Sequence, residues 1–268
     1  MPPGHGGPAA PSEARPRRVR LRTVLLSLTV VVAAALVAFV VWGSLARPAE
    51  PEPLAAVLAD PAIEVLRGPV VELRPAGTDP TRGVVFYPGA RVHREAYIAT
   101  WAPIVAETDT LVLIPRMPLN LAVFGRSRAA GLIEDSAGID EWWVGGHSLG
   151  GAMAASWLGD QEPGTVDGLT LWASFSTGGA ALETRDGLTV LSVSGSRDGL
   201  ATPDDIVERR PLLPPQAVMV EVEGMNHAQF GRYGPQRGDL EPEISDDAAQ
   251  SAVTQAHVTV FGGADAGR

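Results

Sequence analysis

Residues 142–151, WWVGGHSLGG, constrain the fold more than any other stretch of this 268-residue chain. The bulky apolar residues predict a buried strand, and the glycines after them predict a sharp turn into a helix. Ser148 stands at that turn, inside a G-x-S-x-G pattern in which Gly146 and Gly150 avoid clashes where strand and helix nearly touch. The pattern also arises by chance in glycine-rich chains. Its strand–turn–helix setting is what predicts a nucleophilic serine rather than a simple glycine-rich turn.

A serine hydroxyl is a weak nucleophile until a base removes its proton, so this hypothesis requires a histidine further along the chain. His227 follows a predicted strand directly, where a parallel sheet presents its site. A lone loop histidine is often only solvated or turn-capping. The other four histidines are less suitable, because they lie in the amino-terminal tail, before the Ser148 turn (the elbow), inside it or in the last helix: His5, His93, His147 and His257. We therefore predict that His227 is the general base.

The histidine needs a carboxylate to orient it, and Asp198 in SGSRDG also follows a predicted strand directly. The chain order is then Ser, Asp, His. Asp204 and Asp205 are alternatives, but the sequence TPDD around them is typical of a helix start, where acidic residues cap the helix. We predict a triad of Ser148, Asp198 and His227.

A tetrahedral intermediate also needs N–H donors for its oxyanion. The backbone amide of Leu149, next to the nucleophile, is one predicted donor. The second is expected from the loop at residues 88–91, where Gly89 allows close approach and Ala90 supplies the amide. The alternative interpretation of Gly89 is an ordinary tight turn.

The stretches FYPGA, GGHSLGG, SGSRDG and EGMNHAQFGRYG together resemble the α/β-hydrolase superfamily, in particular a small bacterial branch of dienelactone-hydrolase-like serine hydrolases. The resemblance extends over residues 60–262. It implies that residues 114–124 shape one wall of the site near Asn120, although such a segment can equally be an ordinary strand-to-helix loop. Dienelactone hydrolases use a cysteine nucleophile, and this chain has no cysteine, so lactone specificity does not follow.

Short β-branched runs alternate with Ala-rich helical segments, which predicts an α/β fold: a mostly parallel central sheet with helices on both faces. The gap between the strands at 168–174 and 188–195 holds about a dozen residues, too few for a cap domain. The other predicted strands lie around Val70 and at residues 83–88, 110–115, 141–146 and 217–224, and the helices at residues 94–107, 149–160 and 244–261.

Residues 23–45 contain no charge, and 23 residues of helix reach roughly 35 Å, enough to cross a bilayer. Arginines precede this run, so the positive-inside rule places the amino terminus in the cytoplasm and the rest outside. A cleaved signal peptide is the alternative, because Ser44 and Ala46 are small residues at plausible cleavage positions. The run exceeds the usual apolar region of such signals, about 7–15 residues, which favours an uncleaved anchor.

The predicted organisation has four parts: a basic cytoplasmic tail at residues 1–22, a transmembrane helix at 23–45, a Pro-rich linker at 46–56 and a catalytic domain at 57–268. The formal net charge of -10 argues against a nucleic-acid partner. All 21 basic residues are arginine, which is typical of a GC-rich bacterial genome.

These features predict a membrane-anchored serine hydrolase that cleaves carboxylic esters through an acyl-enzyme. Its substrate is expected to be a small or surface-displayed ester, and no metal or organic cofactor is implied. An acyltransferase or thioesterase with the same triad remains open, as does a catalytically silent binding module. The oligomeric state is not predicted.

Overall fold

The computed structural model describes Gly7 and residues 17–265, with the backbone alone for residues 17–21, 23, 264 and 265. The chain divides into two compact units, Met1–Trp42 and Gly43–Arg268. The predicted tail at residues 1–22 lies mostly outside the described residues.

Helix α1 (Arg17–Ser44) accounts for the described structure of the first unit apart from Gly7. Its stretch Val24–Ser44 has a mean hydropathy of 3.0 over its most apolar window, and that window is not buried in the protein. A helix of this length and composition can cross a membrane as an anchor, and a signal sequence has the same properties.

The second unit contains an eight-stranded sheet in the order β1-β2-β4-β3-β5-β6-β7-β8. Strands β1 and β2, and β2 and β4, pair antiparallel, and every other pair is parallel. The mostly parallel sheet is as predicted, with the addition of β1, an edge strand that the sequence analysis missed. The strands are β1 (Ile63–Arg67), β2 (Val70–Pro75), β3 (Arg82–Tyr87), β4 (Thr110–Pro115), β5 (Glu141–His147), β6 (Gly168–Trp172), β7 (Thr189–Gly195) and β8 (Val218–Val222).

Helices cover both faces of the sheet. One face packs against α3 and α7 through a core that includes Phe86, Trp101 and Trp172, and the other packs against α4 and α5. Between β6 and β7 the structure has only a short 3-10 turn at Leu182–Thr184, so no cap domain is inserted there. The helices are α2 (Pro51–Leu58), α3 (Ile98–Thr108), α4 (Arg128–Glu134), α5 (Leu149–Gly159), α6 (Pro203–Arg209) and α7 (Asp246–Asp265).

His257 in α7 is a buried polar residue of the core. Its Nδ1–H donates to the carbonyl of Val253 at 2.9 Å, and its Nε2 accepts from the indole N–H of Trp172 at 3.3 Å. The contact with Trp172 requires the neutral ring, because only a deprotonated Nε2 offers a lone pair. Burial lowers the pKa of His257 to about 4.

The segment predicted as a Pro-rich linker is folded onto the second unit. Pro51 starts α2, where a missing N–H costs nothing, and the preceding Glu50 N–H donates to the carbonyl of Arg232 at 2.7 Å. Arg47 forms an isolated parallel bridge with Val92. The compact unit therefore begins at Gly43, before the boundary expected from the Pro-rich composition.

Candidate active site

Ser148 occupies a sharp turn between β5 and α5. Its φ of 53° and ψ of -126° lie outside the regions that non-glycine residues favour, as a nucleophile elbow requires. A Cβ on Gly146 would come 2.5 Å from the carbonyl carbon of Gly150, and one on Gly150 would overlap the carbonyl of Tyr87. Both positions therefore need glycine, for the steric reason given by the sequence analysis.

Hydrogen bonds from the end of β6 hold the elbow in this conformation. The Ser148 N–H donates to the carbonyl of Trp172 at 2.9 Å, and the hydroxyl of Ser174 donates to the carbonyl of Ser148 at 2.8 Å. Strained backbone persists only where its surroundings over-determine it, and these two bonds provide that restraint.

His227 and Asp198 form a buried pair, with 2.8 Å between Nδ1 of the histidine and Oδ2 of the aspartate. Their side chains are 1% and 0% exposed. The second oxygen of Asp198 accepts the backbone N–H groups of Leu200 and Ala201 at 2.8 and 2.7 Å. Because the carboxylate accepts the Nδ1 proton, the lone pair of the imidazole is on Nε2, where a general base needs it.

Asp205 is engaged at the start of α6. It closes a capping box with Thr202, whose hydroxyl and backbone N–H hold the pKa of Asp205 below its usual value. Asp205 is thus used as a helix cap, and Asp198 contacts the histidine.

His227 lies against the elbow. Its ring centroid is 4.5 Å from that of His147, the residue immediately before Ser148. The structure therefore pairs Asp198 with His227 and places the His227 ring beside the residue that precedes Ser148, at the exits of β7, β8 and β5.

The elbow is tied to the predicted oxyanion loop by a residue that sequence reasoning missed. The buried hydroxyl of Tyr97 accepts the N–H of Gly89 at 2.9 Å and lies 2.9 Å from Nδ1 of His147. Burial, followed by the neighbouring His227 ring, lowers the pKa of His147 well below its usual value, while a contact with the His227 backbone opposes this shift. Burial raises the pKa of Tyr97, so both groups are neutral and the phenol donates to the imidazole.

Ala90 lies in the middle of this loop and is partly exposed. On one side Gly89 is fixed by Tyr97; on the other, the N–H of Arg91 donates to the carbonyl of Asn120 at 2.8 Å. Leu149, the other predicted donor, is the first residue of α5, where N–H groups have no partner within the helix. Rigid flanks of this kind are what a preorganised oxyanion hole needs.

Asn120 borders the oxyanion loop through its backbone, and its side chain is directed elsewhere. Its amide Nδ2 donates to the carbonyl of Gly43 at 3.0 Å. The side chain of Asn120 therefore holds the chain before α2, and its role in a pocket wall stays a prediction.

Asp239 connects two loops: the acid loop, which follows β7 and contains Asp198, and the base loop, which follows β8 and contains His227. One of its carboxylate oxygens accepts the N–H of Gly199 at 3.0 Å, and the other accepts the N–H of Ala228 at 2.9 Å. Gly199 follows Asp198 and Ala228 follows His227 in the sequence. No local pattern signals this contact, because Asp239 lies in an irregular loop between β8 and α7.

Among the described residues, no group of three or more His, Cys, Asp or Glu could hold a metal ion. A serine elbow at the carboxyl edge of a mostly parallel sheet, with an Asp–His pair on later strand exits, defines an α/β protein equipped for nucleophilic catalysis. Residues 83–251 match the Alpha/beta hydrolase family, and the chain belongs to that family. The superfamily predicted from the motifs is thereby confirmed, while the narrower likeness to dienelactone-hydrolase-like enzymes stays a prediction.

No curated protein matches the chain. Solved structures resemble it at low identity. A hyperthermophilic esterase from the archaeon Pyrobaculum calidifontis has a TM-score of 0.56 at 17% identity, over 91% of this chain and 97% of the esterase. A thermostable carboxylesterase from a metagenomic library has a TM-score of 0.56 at 18% identity, over 78% and 92% of the two chains. Carboxyl esterase 2 from the fungus Tuber melanosporum has a TM-score of 0.55 at 13% identity, over 81% and 90%. These likenesses show the shared fold.

Proposed function

We propose that this protein is a serine hydrolase that cleaves carboxylic esters through an acyl-enzyme. The observation that carries the proposal is the buried Asp198–His227 pair, 2.8 Å apart, set against the strained elbow that presents Ser148. The structural neighbours named above are esterases, which supports the choice of ester substrates.

In the proposed reaction the hydroxyl oxygen of Ser148 attacks the ester carbonyl while Nε2 of His227 takes the hydroxyl proton. The amides of Leu149 and Ala90 donate to the resulting oxyanion. The protonated His227, stabilised by Asp198, gives its proton to the departing alkoxide, which leaves as the alcohol. Water then attacks the acyl-enzyme with His227 again as base, and Ser148 and the carboxylic acid are released.

We further propose that Val24–Ser44 is an uncleaved anchor, with its amino terminus in the cytoplasm and the hydrolase unit outside. The arginines before the span and its length support this arrangement. Because the chain has no cysteine, a single Val207→Cys substitution at a 71% exposed position gives a unique label site. A membrane-impermeant maleimide is expected to label it on intact cells. Labelling only after permeabilisation contradicts the orientation, and recovery of the protein in the medium contradicts the anchor.

The absence of a cap between β6 and β7 supports an open site. We therefore expect no interfacial activation. A steep rise in rate above the critical micelle concentration of a long-chain ester contradicts this expectation.

The triad is tested with p-nitrophenyl acetate and a fluorophosphonate probe on the full chain in detergent. Ser148→Ala and His227→Ala are each expected to lower kcat/KM by on the order of 10³-fold or more and to abolish probe labelling. Ser156→Ala is the matched control. Ser156 lies towards the end of α5 that is far from the elbow, and its hydroxyl accepts from the guanidinium of Arg126. Unchanged turnover in Ser148→Ala contradicts the proposed function.

A further inference from the structure

The chain that leaves α1 is bonded directly to the oxyanion loop. We define residues 43–47 as the exit segment. The carbonyl of Leu45 accepts from the guanidinium of Arg91 at 2.9 and 3.2 Å. The Arg47 N–H donates to the carbonyl of Arg91 at 2.7 Å, and the carbonyl of Arg47 accepts the N–H of His93 at 2.8 Å. The exit segment is therefore part of the architecture around Ala90.

The same segment contacts the loop after β4. The carbonyl of Gly43 accepts a hydrogen bond from the side-chain amide of Asn120, and the backbone carbonyl of Asn120 accepts the N–H of Arg91. A Cβ on Gly43 would lie 3.0 Å from the Cβ of Leu119. The exit segment and the loops at residues 88–92 and 117–121 are thus one hydrogen-bonded group.

Chain continuity limits how far this group can be from the end of the apolar helix. The stretch Val24–Ser44 overlaps the exit segment, so no free spacer separates them. Each extended residue spans at most about 3.6 Å, so the path from Ser44 through Arg47 to Ala90 is no longer than about 20 Å. If Ser44 is at the bilayer surface, the oxyanion loop is close to that surface too.

The side chains next to these contacts suit such a position. Leu45 is 62% exposed and Val123, three residues after Asn120, is 51% exposed.

We propose that the substrates are amphiphilic esters held in the outer layer of the same membrane by their acyl chains. The inference rests on the proposed function, both ester hydrolysis and the uncleaved anchor. Because the oxyanion loop is held within about 20 Å of Ser44, at the end of the apolar helix, the site encounters a membrane-resident ester at high effective concentration, and without a cap the ester can reach Ser148 directly. The effective concentration of a water-soluble ester at the site is not raised by this placement.

The test separates the site from the membrane without changing the site. Twelve Gly/Ser residues inserted between Trp42 and Gly43 leave the exit-segment contacts in place and add a flexible chain of about 20 Å. The full chain and the insertion variant are reconstituted in phosphatidylcholine vesicles and assayed with vesicle-embedded 4-methylumbelliferyl oleate and with soluble p-nitrophenyl acetate.

We expect the insertion to lower turnover of the embedded ester on the order of 10-fold and to leave acetate turnover unchanged. A matched variant with the same insert between Gly7 and Pro8 is expected to keep both activities. Equal turnover of the embedded ester with and without the spacer, or a parallel loss of both activities, overturns the inference. Failure of the unmodified protein to hydrolyse p-nitrophenyl acetate contradicts the proposed function instead.

Discussion

Replacing Asp239 by alanine separates the acid loop from the base loop without changing either side chain of the proposed Asp198–His227 pair. The substitution removes the two acceptors that hold the N–H groups of Gly199 and Ala228. We expect kcat for p-nitrophenyl acetate to fall while KM stays nearly constant, because the carboxylate positions Asp198 and His227 and binds no substrate.

The magnitude follows from those two hydrogen bonds. Each bond to a charged acceptor contributes about 1.5–3 kcal/mol. Asp239 is only partly buried, so water replaces part of each bond and the lower value applies, giving a loss of about 3 kcal/mol in the free energy of unfolding. A displacement of the catalytic groups by about 1 Å costs roughly 10²-fold in rate, so we expect kcat to fall about 10- to 100-fold.

The assay combines steady-state kinetics with the rate of fluorophosphonate labelling, which is expected to fall in proportion to kcat. Asp239→Asn, which keeps one acceptor oxygen, is expected to recover part of both rates. Glu241→Gln is the matched control, since it removes a carboxylate charge from the same loop. Wild-type kcat in a folded Asp239→Ala variant, or a loss confined to KM, refutes the reasoning.

Two further predictions concern buried polar groups. The pKa of His257, about 4, lies below the unfolded value of 6.5, so below pH 6.5 the unfolded chain binds a proton that the folded chain does not. The free energy of unfolding is therefore expected to fall by about 3 kcal/mol between pH 6.5 and 4, and a urea titration of His257→Gln should show a shallower fall; an equal fall contradicts the assignment. Tyr97→Phe leaves the N–H of Gly89 without its hydroxyl acceptor and is expected to lower kcat about 10-fold through a looser oxyanion loop; unchanged kcat with an unchanged thermal midpoint argues against that role.

Local sequence was enough to predict the sharp turn at Ser148 and the pairing of Asp198 with His227. Gly146 and Gly150 are required because the backbones of adjacent elements are crowded there, and the five-residue G-x-S-x-G pattern reflects this requirement. Asp198 and His227 could be chosen because parallel strands present their carboxyl ends at one edge of the sheet. Long apolar strands such as β3 and β4 are buried on both faces, so they appear in the sequence as continuous apolar runs.

The elements that sequence reasoning missed depend on contacts with distant residues. Strand β1 is an edge strand with a mixed burial pattern, and it pairs with β2 alone. Helix α2 is eight residues long and includes two prolines, too short to be stable without packing against the domain. Composition alone therefore indicated a semi-extended, Pro-rich linker.

The sequence by itself determined the chemistry available to this protein: a serine at a strained turn, an acid and a base at later strand exits, and an apolar stretch long enough to span a bilayer. Only the tertiary structure decided how these groups are held. Tyr97 reaches His147 across 50 residues, Asp239 reaches Gly199 across 40, and Asn120 reaches Gly43 across 77. Such hydrogen bonds depend on where folded backbone segments meet, so no periodicity or motif records them.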